Sequence, residues 1–201
     1  MDCRASAAFF VALVVALGLG SALVLPGFRR YAQTEDLISA CVAGDARVVA
    51  RLLAMGADPN TYDNGVVLAK TSSTDVARLL LDYGADPDGR PDLHSVPLAS
   101  AASVEMARLL LSHGADPNCA DEDGWTPLMH AVSSLQTDLV GALLAAGADP
   151  AHMAPGGESV DSVSRRRARL ATDSERRAAA EIRAALRSAA VSSRHPATQG
   201  R

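Results

Sequence analysis

Residues that could carry acid–base or metal chemistry are few in this 201-residue chain, and they do not cluster. A zinc site needs His and Cys ligands at close spacing, and the cysteines lack a C-x-x-C pair. No H-E-x-x-H or H-x-x-E-H motif occurs either. The sequence therefore predicts no metal site and no cofactor. The residues concerned are His94, His113, His130, His152, His195, Cys3, Cys41 and Cys119.

Two short segments resemble ion-binding or catalytic loops but fail on detail. Asp121-Glu122-Asp123-Gly124 is similar to part of a calcium loop, yet Cys119 occupies the first ligand position and His130 the closing glutamate position. Gly156-Gly157-Glu158-Ser159 matches neither a nucleophile elbow nor a phosphate-binding loop. Because no Ser, Cys or Thr has an evident base partner, the sequence predicts a protein that is not an enzyme and has no small-molecule substrate.

The formal net charge of −4 hides two regions of opposite sign. Residues 31–150 contain 17 Asp and Glu against 6 Lys and Arg, whereas residues 151–201 contain 10 Arg against 5 Asp and Glu. A nucleic-acid-binding domain should be basic over its folded surface, so no nucleic-acid partner is expected. The run Arg165-Arg166-Arg167 is predicted to be a solvated face of a C-terminal cap, and contact with anionic lipid or an acidic partner is the alternative.

An uncharged, apolar segment precedes both regions. No charged residue occurs from Ala5 to Phe28, and the apolar run from Ala7 to Leu25 approaches the length of about 20 residues that a membrane-spanning helix needs. We therefore predict membrane attachment through residues 5–28, in an N-terminal segment 1–30, with the side of the membrane left open. The alternative is a signal peptide cleaved near Gly20 to Ala22, which would make the protein periplasmic or secreted.

The strongest pattern is a fourfold internal repeat of Gly-Ala-Asp-Pro. Its copies follow one another at steps of 28, 30 and 33 residues, and a leucine-rich amphipathic segment precedes each of them. They begin at Gly56, Gly84, Gly114 and Gly147. Glycine can adopt the left-handed conformation that ends a helix, and the following proline prevents the helix from continuing. The pattern therefore predicts four helices that end at these turns.

Polar residues mark where the helices begin. Acidic residues that can accept free backbone N–H groups stand at the start of each leucine-rich helix. They are Asp45, Asp75, Glu105 and Asp138. The segment from Asp123 to Leu128 indicates a tight turn followed by another helix, with Thr126 as the N-cap and Pro127 as the first helical residue.

These motifs resemble those of the ankyrin repeat family, whose period is 33 residues and whose signature is T-P-L-H-x-A. Residues 118–150 match best, through Asp-Gly-Trp-Thr-Pro-Leu-Met-His-Ala and the following Gly-Ala-Asp-Pro. Met129 replaces the usual histidine, and His130 falls on the variable position beside it. The resemblance implies an all-α solenoid of helix-turn-helix units joined by β-turn or hairpin loops, preceded by the transmembrane or signal helix.

Four repeats are expected, at residues 31–60, 61–88, 89–118 and 119–150. In the second and third, the segments 67–73 and 97–103 reach the next helix three residues early, so their first helices should lose most of a turn. Lineage drift with compensating packing would explain this, and so would a reshaped binding surface.

The C-terminal part is expected to close the stack of repeats. Residues 151–190 are predicted to form a polar, Arg-rich capping repeat, which keeps an open-ended stack soluble. Its last helix should follow a capping box at residues 172–175. Residues 191–201 have no apolar periodicity and are predicted to be a disordered tail.

Ankyrin stacks, as the resemblance implies, bind proteins along the tips of their turns and the exposed side of each first helix. Trp125 is the only Trp, and it is expected either to contact a partner or to pack on its neighbour. The acidic tips predict a partner that carries a basic patch. The expected partner-binding residues are Tyr62, Asp63, Asn64, Lys70, Arg90, Asp92, His94, Ser100, Asp121, Glu122, Trp125, Met129 and His130.

The function expected from these observations is that of a non-catalytic protein–protein interaction module tethered to a membrane by its N-terminal helix. The alternative is an exported soluble ankyrin protein that shields or inhibits its partner.

Overall fold

The computed structural model describes residues 26–61, 66–89 and 95–194. The regular structure of these residues is helical, and none of them belongs to an extended strand; Met153 and Ser159 form an isolated antiparallel bridge. The helices are α1 (Pro26–Ala43), α2 (Ala46–Ala54), α3 (Val67–Lys70), α4 (Thr74–Asp82), α5 (Val104–Ser112), α6 (Pro127–Ser133), α7 (Thr137–Ala145), α8 (Val160–Leu170) and α9 (Arg176–Arg194).

The helices form two rows. Helices α2, α4, α5, α7 and α9 pack in that order along one row, and each is the second helix of its repeat. The first helices lie in the other row, where α1 packs on α3 and α6 packs on α8. Because each unit contacts its neighbours in sequence, the described residues form a solenoid. This confirms the predicted all-α helical stack.

Small and branched aliphatic side chains fill the space between the rows. Leu80, Leu110, Leu128 and Leu143 are completely buried, and alanines occupy the tight contacts between them. Each fully buried leucine stabilises the fold by about 1.5–3 kcal/mol. The core therefore needs few aromatic residues, in agreement with their 3% share of the sequence.

The Gly-Ala-Asp-Pro turns end the second helices as predicted. The four glycines have φ between +89° and +92°, and the N–H of each following alanine donates to the carbonyl five residues earlier at 2.9–3.1 Å. The Asp of each turn then accepts the N–H two residues ahead at 2.8–3.0 Å. Helix end and turn are thus fixed by one short motif.

The residue after the proline links one repeat to the next in the first three of these turns. The side chain of Asn60 accepts the N–H of Asp86 at 2.7 Å and donates to the carbonyl of Gly84 at 3.1 Å. Asn118 repeats this pair of bonds, with Asp149 at 2.7 Å and Gly147 at 3.2 Å. At the joint between them, Asp88 accepts the N–H of Asp116 at 2.7 Å but has no amide group to donate.

The residues that begin the second helices agree only in part with those predicted from the sequence. Asp45 caps α2 as predicted, by accepting the N–H groups of Arg47 and Val48. Helices α4 and α5 are capped instead by the hydroxyls of Ser73 and Ser103. The carboxylates predicted to begin these helices, Asp75 and Glu105, and also Asp138 of α7, lie inside the first turn. There they complement the helix dipole, and the Glu105 carboxylate also accepts its own backbone N–H.

The middle of the stack is irregular, as the repeat lengths predict. Helix α3 has only four residues, and residues 97–100 of the third repeat form turns rather than a helix. By comparison, α6 has seven residues, and Thr126 and Pro127 begin it in their predicted roles.

The C-terminal residues form a helix pair that packs like a fifth repeat. Helix α8 packs on α6, and α9 packs on α7. A complete capping box joins Ser159 and Ser162 at the start of α8. At the predicted capping box, the Glu175 carboxylate accepts the N–H of Thr172 at 2.9 Å, but the Thr172 hydroxyl donates to that carboxylate instead of accepting a backbone N–H.

The two ends of the chain differ from the predicted boundaries. Helix α9 continues to Arg194, so the prediction of disorder from residue 191 is wrong for residues 191–194. Residues 195–201 lie outside the described residues. Helix α1 begins at Pro26, inside the segment predicted to be the membrane anchor. The rest of that anchor, residues 5–25, lies outside the described residues. Among the residues that the structure describes, no helix is long and apolar enough to cross a bilayer.

Candidate functional site

The turn of the fourth repeat is held by a single carboxylate. Oδ1 of Asp121 accepts the backbone N–H groups of Asp123 at 3.1 Å and of Trp125 at 2.9 Å. The N–H of Asp121 donates to the carbonyl of Trp125 at 3.0 Å, and Gly124 closes the loop with φ +78°. The backbone of residues 121–125 is therefore fixed at both ends before α6 begins.

The same carboxylate positions the residues on the surface of the turn. Nε2 of His130 lies 2.9 Å from Oδ2 of Asp121, whose side chain is only 9% exposed, against 36% for that of His130. The rings of Trp125 and His130 are 5.3 Å apart at an angle of 56°. Such tilted ring pairs are attractive beyond the area they bury. We call Asp121, Trp125 and His130 the Trp125 cluster.

The fifth unit supports this turn from its other side. Nε2 of His152 donates to the carbonyl of Gly124 at 2.9 Å. A side chain at Gly124 would overlap Cδ of Pro155, so the two loops are in close contact. The loop around Pro155 is itself a hairpin, in which the N–H of Ala154 donates to the carbonyl of Glu158 at 2.8 Å. The turn that carries the Trp125 cluster is thus supported by the loop of the next unit.

The sequence left two roles open for Trp125. The structure shows packing against its neighbours, and contact with a partner stays a prediction. The Trp125 side chain is half-buried and packs against the hydrophobic core, and the remainder is accessible beside His130. Asp121 was expected to contact a partner directly. Because its carboxylate is mostly buried and fully engaged, it positions the turn and His130 instead.

Met129 is not a surface residue, and the prediction that it contacts a partner is wrong. Its side chain is completely buried, as are those of Leu128 and Val132 in the same helix. The next residue, His130, is turned outward because successive residues in an α-helix are rotated by about 100°.

The other predicted contact residues divide into two groups. Glu122 is exposed at the tip of the turn, Ser100 is exposed in the third repeat, and Lys70 is half-buried at the end of α3. Six residues lie outside the described residues, so their part in binding stays a prediction. They are Tyr62, Asp63, Asn64, Arg90, Asp92 and His94.

Sequence reasoning missed His152 and Pro155, which hold the turn from the fifth unit. No signal in the sequence connects them with Gly124, because the contact depends on how two loops meet across a repeat boundary. Leu135 was also missed. It joins α6 to α7 with φ +56°, at the place where Gly44, with φ +74°, joins α1 to α2.

The described thiols are in environments that suppress their reactivity. Burial raises the pKa of Cys41 to about 12. Burial, followed by the negative charges of Asp88 and Asp116, raises the pKa of Cys119 to about 11. Since the thiolate is the nucleophile and metal ligand, both groups are unreactive at neutral pH. No group of three or more His, Cys, Asp or Glu in the described ranges could hold a metal ion.

Comparison with known protein families identifies one profile, which matches two overlapping segments of the chain. A family profile described as "Ankyrin repeats (3 copies)" matches residues 37–121 and 68–154. No curated protein matches the chain. Together the two matches span more than half of the 201 residues and include every Gly-Ala-Asp-Pro turn. Ankyrin repeats indicate a protein–protein interaction module. The chain belongs to the ankyrin repeat family.

Proposed function

We propose that this protein is a non-catalytic adaptor that binds a partner protein through the Trp125 cluster and the exposed residues around it. The observation that carries the proposal is the pairing of Trp125 with His130, 5.3 Å apart, above the buried Asp121 carboxylate. An aromatic pair held in place before binding loses little conformational freedom when a partner arrives.

The charge around the cluster supports a partner with a basic patch. Glu122 and Asp123 are exposed at the tip of the turn, beside Trp125 and His130. A basic partner surface would be attracted to this tip, which increases the association rate more than the final affinity. The aromatic side chain would then supply most of the binding energy, because Trp is among the commonest interface hot spots.

We also propose that the adaptor is tethered to a membrane through residues 5–28. The support for this is the uncharged apolar run that ends at Leu25, directly before α1 begins at Pro26. The alternative is export after cleavage of a signal peptide, which would favour an inhibitor or shield of an external partner.

The intact mass of the protein in fractionated cells separates these two alternatives. A full-length mass in membranes after high-salt and alkaline washes would support the tether. A soluble form shortened by about 20–22 residues would overturn it in favour of export.

Partner binding is tested with Trp125→Ala, using Tyr83→Ala as a matched aromatic control. Tyr83 is 49% exposed at the end of α4, away from the Trp125 cluster. Proteins captured from native lysate by wild type and variants are quantified by mass spectrometry, and the affinity of the captured partner is then measured. We expect Trp125→Ala to weaken binding by more than about 1 kcal/mol, while Tyr83→Ala leaves it unchanged. Equal binding by both variants would contradict the proposal.

A further inference from the structure

The outer face of α8 carries a group of exposed arginines. Arg165, Arg166 and Arg169 are exposed there, at positions that share one side of an α-helix. With Ser162 and Leu170 they line an open depression of about 590 Å³. We call these five residues the Arg strip.

The sequence run Arg165-Arg166-Arg167 is divided by the fold into two roles. Arg167 donates to Glu175 at 2.6 Å, with both side chains about one-third exposed, and so connects α8 to the start of α9. Arg165 and Arg166 are 61% and 53% exposed and point to solvent. Arg167 is therefore part of the cap, whereas its two neighbours are available to a ligand.

The present partners of the Arg strip are easily exchanged. Arg165 pairs with Asp161, which is 60% exposed, and Arg166 pairs with Glu158. Exposed ion pairs of this kind contribute little to stability, so an incoming carboxylate can replace them at little cost. Arg169 forms no ion pair with any of the described residues and is open to a new partner.

An apolar side chain adjoins these charges. Leu170 is 69% exposed at the end of α8, beside Arg169. A ligand that covers the Arg strip would therefore need carboxylates for the guanidinium groups and an apolar group for Leu170. Arginine suits the first part of this task, because its planar group can bind a carboxylate through two parallel hydrogen bonds.

The charge of the remaining chain directs an anionic ligand to the C-terminal cap. Residues 31–150 carry 17 acidic against 6 basic residues, so an anionic ligand is repelled from the repeats and attracted to the cap. A flat anionic membrane would bring its headgroups against Asp161 and Glu158, which lie in the same region as Arg165 and Arg166. A peptide chain can place single carboxylates on the exposed guanidinium groups and leave Asp161 and Glu158 facing solvent, so the observations favour a peptide.

We propose that the Arg strip is a docking surface for an acidic segment of a partner protein, in which carboxylate residues alternate with an aliphatic side chain. This goes beyond the adaptor function proposed above, because the Arg strip is separate from the Trp125 cluster and binds the opposite charge. A partner that used both surfaces would carry a basic patch and an acidic segment at separate places.

The experiment uses the full chain in non-ionic detergent and a fluorescein-labelled peptide of repeated Glu-Asp-Leu units, with fluorescence anisotropy as the readout. We expect binding at an ionic strength of about 0.02 M that weakens strongly at about 0.2 M. Arg169→Glu should weaken binding about tenfold or more, since it removes one attraction and adds one repulsion. Arg187→Glu is the control, because it makes the same charge change at an exposed position on α9 outside the Arg strip.

Three results would overturn this inference. If Arg169→Glu binds like the wild type, or if Arg187→Glu weakens binding equally, the attraction is diffuse and no docking surface exists. If the peptide fails to bind, while vesicles with about 30% phosphatidylserine bind through Arg169, the surface belongs to a membrane instead. Trp125→Ala should bind the peptide normally, so the outcome is independent of the Trp125 test.

Discussion

Oδ2 of Asp121 lies 2.9 Å from Nε2 of His130, while Oδ1 of the same carboxylate accepts the N–H of Trp125 at 2.9 Å. One buried side chain thus connects the turn of the fourth repeat to its first helix. The orientation of the two aromatic residues depends on it.

The replacement Asp121→Ala should destabilise the fold and release Trp125. The change leaves the N–H of Trp125 and the His130 ring without their acceptor, which costs about 1–3 kcal/mol of unfolding free energy. Because Trp125 is the only Trp, its fluorescence maximum should move to longer wavelength as the ring becomes more exposed. Urea denaturation and emission spectra provide the measurements. Asp138→Ala removes an exposed carboxylate from the first turn of α7. It should leave the emission maximum unchanged and lower the unfolding free energy by only about 0.3–1 kcal/mol.

Gly124→Ala and Gly114→Ala should separate backbone strain from steric overlap. Both glycines have positive φ, +78° and +91°, so backbone strain should lower the unfolding free energy of both variants by about 1 kcal/mol. A new Cβ at Gly114 meets nothing within 4 Å, whereas at Gly124 it overlaps Pro155. Gly124→Ala should therefore lower the midpoint of urea denaturation clearly more than Gly114→Ala. Equal midpoints would mean that the loop of the fifth unit does not support the turn.

Asp88→Asn should stabilise the stack. At the joints on either side, an Asn amide donates to the carbonyl of Gly84 or Gly147, and this bond is missing at Asp88. The added hydrogen bond should raise the unfolding free energy by about 0.5–1.5 kcal/mol. The reverse change, Asn118→Asp, should lower it by a similar amount. A loss of stability in Asp88→Asn would show that the carboxylate has another role.

Glu175 should make the stability of the C-terminal unit depend on pH. The backbone N–H of Thr172, then its hydroxyl, and Arg167 hold the pKa of this carboxyl below its usual value of 4.5. A lowered pKa means that the stabilisation is present above the unfolded-state value and is lost as the pH falls through the folded-state value. The stability difference between wild type and Glu175→Gln should therefore shrink below about pH 4.5, as measured by urea denaturation from pH 7 to pH 3. Glu181→Gln, which removes the exposed pair with Arg177, should show a smaller difference at pH 7.

The features that the sequence predicted well are those encoded by local backbone chemistry. Gly-Ala-Asp-Pro ends a helix wherever it occurs, and Thr126-Pro127 begins one, so the repeats follow from short-range rules. The shortened helices of the second and third repeats follow from counting residues between these motifs. The resemblance to the ankyrin family could be identified from the sequence because these same local motifs carry it.

The features that could not be predicted from the sequence depend on which side of a helix faces the core, or on contacts between repeats. Met129 and His130 are adjacent in sequence, and only the packing of α6 decides which is buried. Ser73 and Asp75 could both cap α4, and the observed helix start selects the serine. The inward carboxylate of Asp121 and the close contact of Gly124 with Pro155 require the folded turn and the neighbouring hairpin.

The joint at Asp88 lies within the part of the stack where one first helix has four residues and residues 97–100 of the next repeat form turns. In a solenoid, each repeat is held only by its interfaces with the neighbouring repeats. Bending therefore concentrates at the interface with the fewest packing and hydrogen-bond contacts. We therefore expect this molecule to flex as two stiff arms about its third repeat. The curvature that it presents to a partner would then be adjustable, while the Trp125 cluster and the Arg strip travel together on one arm.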